Sequence, residues 1–130
     1  MVAAMMESLI KAGGVYNIAL VVFHLLFWRI FNWKQDLQSL SFNNKAIIQV
    51  VNLCLTLVFA LFACISLVFS KELLTTPLGK SLLVFMALFW FARALMQIVF
   101  FRLEHWGSIA FLVFFFAGGV LYAIPAVYGL

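Results

Sequence analysis

The chain has 130 residues, of which 68% are hydrophobic and 9% charged, and its mean hydropathy is +1.21. A soluble domain carries about 25% charged residues, and a chain this short has too much surface for its volume to hide so much apolar area from water, so lipid is the expected solvent for most of its exterior. The net charge of +4 sits at the ends of apolar runs rather than in a basic stripe with interleaved aromatics, which argues for interfacial anchors and against a nucleic-acid partner.

Residues 1–11 are mildly amphipathic, with Met5, Met6, Leu9 and Ile10 suited to an interface. Lys11 follows the small apolar patch instead of preceding it, so the opening does not read as a secretory signal. Gly13 and Gly14 lower helix propensity, and a first membrane span is predicted over about 14–31. Its central run is apolar except for His24, and Trp28, Arg29 and Trp33 mark its far end at headgroup level. The connection 33–45 is the most polar stretch, with room for a short interfacial helix through Leu37 and Leu40. Asn43 or Asn44 is the expected cap of the next helix.

A second span is predicted over 46–70. Gln49, Asn52, Thr56, Ala60, Ala63 and Ser70 share one side, which is expected to face other helices because lipid cannot satisfy polar groups. Cys54 and Cys64 fall on this helix ~15 Å apart, beyond disulfide reach. Pro77 and Gly79 make 71–80 read as a turn. The third span, 81–102, is almost wholly apolar yet contains Arg93, on one face with Met86, Trp90 and Gln97. After a tight connection at 103–107, the fourth span covers 108–130, where Ser108, Phe115, Gly119, Tyr122 and Ala126 share a face and Pro125 sits near the end.

Four spans of this length each cross a hydrocarbon core of ~30 Å. Joins of about 13, 10 and 5 residues predict an all-α integral membrane protein: a single-domain, four-transmembrane-helix, antiparallel up-down-up-down bundle. Positive charges divide almost evenly between its two ends, with a slight lean to cytoplasmic loops one and three. The expected location is the cell (inner) membrane, multi-pass.

In such a bundle, the end of span one, the start of two, the end of three and the start of four lie together. Counting inward at ~1.5 Å per residue puts Gln49 ~5 Å deep, Gln97 ~8 Å, Asn52 ~9 Å, His24 ~10 Å and Arg93 ~13 Å. Five polar side chains from three helices thus fall in one slab, while Asn17, Ser66 and Tyr122 are sparse in the other half. An arginine at that depth is costly unless something receives it. Its guanidinium offers five donors in a fork suited to phosphate or carboxylate, and no acid shares its slab. Inside the chain, Gln97, Asn52 or a carbonyl are candidate acceptors, with Trp90 as a cation–π partner.

His24 fits either a packed neutral imidazole bonded to Asn17, Asn52 or a carbonyl, or a proton-transfer group. His24 and His105 differ in depth by ~14 Å, too far apart to ligate one haem iron, and no other cluster has metal-ligand spacing. No metal or cofactor is therefore expected, and no residue is assigned as catalytic. Gln49 and Asn52 suit interhelical hydrogen bonds worth roughly 0.6–2 kcal/mol each. Adjacent Glu104 and His105 read as a solvated loop.

The functional expectation is a binding or transport-like membrane module. In it Arg93, Gln97, His24, Gln49 and Asn52 form an intramembrane polar pocket for a lipid-like or anionic amphiphilic small molecule. The alternative is a structural, accessory or self-associating membrane subunit without a small-molecule site, whose partner is a second copy or another membrane protein. A third reading is a membrane-embedded enzyme using His24.

Overall fold

The computed structural model describes residues 1–128, and all regular structure among them is helical. In chain order the elements are α1 (Val2–Leu25), α2 (Phe27–Ile30), α3 (Trp33–Asp36), a 3-10 turn (Leu37–Ser39), α4 (Phe42–Val68), α5 (Ser70–Thr75), α6 (Pro77–Phe100) and α7 (Trp106–Tyr128). The helices α1, α4, α6 and α7 are each long and apolar enough to cross a membrane.

The first helix starts at Val2 and runs through the glycine pair. Its buried stripe of Met6, Ile10, Gly13, Gly14, Asn17 and Leu20 follows helical spacing. The glycines cost helix propensity but admit close neighbours: a Cβ on Gly13 would stand 2.6 Å from the Tyr122 ring. The helix breaks at Leu26, and the chain reverses at Asn32, whose φ of 50° is the left-handed conformation that asparagine tolerates better than most residues. Leu37 is buried and anchors the connection. The cap of α4 is Ser41, whose Oγ accepts from the Asn44 N–H at 3.3 Å, so this helix begins earlier than a cap at Asn43 or Asn44 allows.

The segment 71–80 also differs from expectation, because most of it is helical. Thr76 caps α6, its Oγ1 accepting from the Gly79 N–H at 2.9 Å. Pro77 takes the first helical position, where its missing N–H is not needed. Pro77 and Gly79 therefore open α6 at a sharp corner with α5 instead of forming an open turn.

On the side of span two expected to face other helices, Asn52, Thr56, Ala63 and Ser70 are buried and Gln49 is half-buried; the faces grouped on α6 and α7 are buried at Met86, Trp90, Gln97, Phe115, Gly119, Tyr122 and Ala126 and half-buried at Arg93 and Ser108. Ala60 departs from this pattern and is exposed. Closest packing joins α1 to α4 and α6 to α7, with α1 also lying along α7. Between α4 and α6 the contact is made by rings: Phe59 and Phe62 meet Phe89, and Phe59 stacks on Trp90 at 5.3 Å. Trp90 stacks in turn on Phe115 at 6.0 Å, so three parallel aromatics fill the centre. Outside, Leu57, Phe85, Phe100 and Val113 are among many exposed apolar side chains.

Candidate functional site

The five polar residues expected in one slab separate into three hydrogen-bonded groups. His24 and Asn52 form the first, between α1 and α4. Asn52 Nδ2 donates to the His24 carbonyl at 3.0 Å, which turns Asn52 Oδ1 onto His24 Nδ1 at 2.8 Å. An amide oxygen only accepts, so Nδ1 carries the proton of this hydrogen bond. Thr56 adds a bond from Oγ1 to the Asn52 carbonyl at 2.8 Å, and the ring stacks on Phe27 at 4.2 Å.

Gln49 stands in a second group with Trp28, a partner that the sequence reading placed only as an interfacial anchor. The Trp28 indole N–H donates to Gln49 Oε1 at 2.9 Å, while Gln49 Nε2 donates to the Lys45 carbonyl at 3.1 Å.

The third group joins α6 to α7. Arg93 Nη1 donates to Gln97 Oε1 at 3.2 Å, and Gln97 Nε2 donates to Ser108 Oγ at 3.0 Å. Gln97 is buried and Arg93 half-buried. The guanidinium carbon lies 4.2 Å from the Phe115 ring centroid and 5.7 Å from that of Phe101. Phe115 is thus the cation–π partner, while Trp90, the expected one, is sandwiched between Phe59 and Phe115. Among the described residues Gln97 is the only hydrogen-bond acceptor of Arg93, and the one ion pair is Lys11–Glu7 at the far end of α1. No hydrogen bond among these residues links the three groups to one another.

The half that looked sparse contains the most deeply buried polar network. Asn17 Nδ2 donates to the Gly13 carbonyl and to the Tyr122 hydroxyl, each at 2.8 Å, and that hydroxyl pairs with Ser66 Oγ at 2.7 Å. All three residues have 0% exposure, so α1, α4 and α7 are tied together without access to solvent. Near the same end, Glu7 accepts from Ser70 Oγ at 3.0 Å.

Hollows open on the surface near these groups. An apolar groove of about 510 Å³ lies between α1 and α7, with Phe23, Trp106, Phe111 and Phe114 among its walls. A polar hollow of about 590 Å³ lies where the α1–α4 connection meets α4 and includes Gln49 in its lining. Arg93 lines neither. It is joined to the groove through aromatic contact, since Phe111 stacks on Phe115 at 5.9 Å and Phe115 lies beneath the guanidinium.

No family model, curated protein or solved structure matches this chain. Its class accordingly rests on the geometry: four long apolar helices around an aromatic centre, with a half-buried guanidinium that no carboxylate neutralises among the described residues.

Proposed function

We propose that the chain is a multi-pass membrane protein whose four long helices cross the bilayer antiparallel, up-down-up-down, and that Arg93 receives the anionic end of a lipid-like or amphiphilic small molecule. The observation that carries this reading is the state of Arg93. Its single acceptor is neutral Gln97, its ring contacts are to phenylalanines, and no acid pairs with it among the described residues. A guanidinium at membrane depth gains most from an anion that matches its fork. Gln97, held by Ser108, orients it. The neighbouring groove supplies an apolar path for a hydrocarbon tail along Phe111 and Phe114. His24, Gln49 and Asn52 serve mainly as interhelical bonds on the α1–α4 side in this reading.

Self-association through small residues is supported less well. The glycines on which such a face would rely are filled from within the chain, Gly118 by Tyr16 and Gly119 by Phe91.

The test is the lipid that co-purifies with the protein, counted by native mass spectrometry. A charge-assisted hydrogen bond contributes about 1.5–3 kcal/mol, so Arg93→Leu is expected to weaken retention of anionic lipid roughly tenfold or more while the helix content is kept. Arg93→Lys, which keeps the charge without the fork, should recover only part of it. An unchanged lipid complement in folded Arg93→Leu would remove the proposal.

A further inference from the structure

The polar hollow at the start of α4 has its own chemistry, separate from Arg93. Its lining includes Trp28, Arg29, Trp33, Lys34, Lys45 and Gln49. Three of these are cations, and none of them is ion-paired among the described residues. Asp36, the acid of this connection, does not line it.

The shape is fixed rather than incidental. The left-handed Asn32 turns the chain back after α2, and its Nδ2 donates to Gln35 Oε1 at 2.9 Å across that turn. The reversal brings Trp33 edge-on to Trp28 at 5.2 Å. Gln49 then takes the Trp28 N–H while holding the Lys45 carbonyl, so one amide ties the connection to the first turns of α4. Three like charges thereby border one concavity with no acid in its lining.

We propose that this hollow is a phosphate-binding site at the membrane surface. The Arg29 fork matches two phosphate oxygens, and the lysines supply mobile point charges. The two indoles belong at headgroup level, where a phospholipid presents its phosphate. The placement rests on the membrane reading above; the site does not use Arg93.

The full-length protein in detergent is titrated with phosphatidylglycerol and, for comparison, phosphatidylcholine, with binding read by native mass spectrometry. Lys34→Gln/Lys45→Gln is expected to weaken phosphatidylglycerol binding about tenfold or more and to weaken that of phosphatidylcholine, whose phosphate is offset by choline, much less. The control Lys71→Gln/Lys80→Gln removes the same charge from the other end and should bind as the native chain does. Equal losses in the two double variants would reduce the effect to net charge and overturn the site, as would full binding by Lys34→Gln/Lys45→Gln. Inorganic phosphate that competes with phosphatidylglycerol identifies a soluble phosphate as an occupant, whereas no competition assigns the site to lipid headgroups; both support phosphate chemistry. Arg93→Gln in the same series separates the two proposals, since its loss of lipid leaves the lysine result untouched.

Discussion

The Tyr122 hydroxyl accepts from Asn17 and pairs with Ser66, and all three side chains are sealed from solvent. Tyr122→Phe removes one oxygen and strands a donor on Asn17, whose Oδ1 is already without a partner. An orphaned buried group costs about 1–3 kcal/mol in proteins generally, whereas interhelical hydrogen bonds measured in membranes average nearer ~0.6 kcal/mol. Since no water reaches this network to replace the hydroxyl, a loss of about 1–2 kcal/mol is expected. Unfolding by sodium dodecyl sulfate, followed by circular dichroism, measures it; an unchanged midpoint would show that Asn17 and Ser66 find other partners. The network was partly legible in the sequence. Counted from the 71–80 end, the expected spans put Asn17 and Ser66 at ~5–6 Å depth and Tyr122 at ~12 Å, a gap that the length of a tyrosine side chain covers. Counting from one end alone hid it. At the opposite end the pairs His24–Asn52 and Arg93–Gln97 were among those that residue type and depth offered, whereas depth alone cannot say that Gln49 turns to Trp28.

The inward faces of α4, α6 and α7 were readable because a repeat of 3.6 residues marks them in any one helix. Their ends were harder to place, since Gly and Pro carry opposite meanings inside and outside a first turn. At the α5–α6 corner, Gly79 has a Cβ position occupied by backbone, the Glu72 carbonyl and Leu73 Cα. Alanine favours a helix over glycine by about 1 kcal/mol, but a clash with backbone cannot be relieved by a rotamer change and overpacking costs about 1–3 kcal/mol. Gly79→Ala is therefore expected to destabilise the fold. Gly107→Ala, whose Cβ meets only the His105 ring at 3.1 Å, should be neutral or stabilising. Thermal unfolding of the two variants in one detergent reads the sign; a stabilising Gly79→Ala would mean that α5 and α6 do not approach as closely as described.

For the whole molecule, the number of long helices followed from composition, whereas their arrangement depends on which side chains fit across it: Gly13 under Tyr122, Gly14 under Leu67, and Gly118 under Tyr16. The membrane placement makes a prediction that this packing alone does not. Cys54 and Cys64 are both exposed on α4, so in water either would react with a charged maleimide. Cys54 lies twelve residues after Phe42, ~18 Å along the helix, which is mid-bilayer if α4 crosses it. In Cys64→Ser, a membrane-impermeant maleimide should leave Cys54 unlabelled in intact membranes and label it after denaturation. The crossing of α4 is tested by two further probes placed in a Cys54→Ser/Cys64→Ser background. Ser39→Cys, in the connection before α4, and Thr75→Cys, at the end of α5, are both exposed positions. They should label from opposite faces of sealed vesicles, because α4 carries the chain from one face to the other between them. Labelling of both from one face would rule out a crossing α4, and ready labelling of Cys54 in intact membranes would take the helix out of the bilayer altogether.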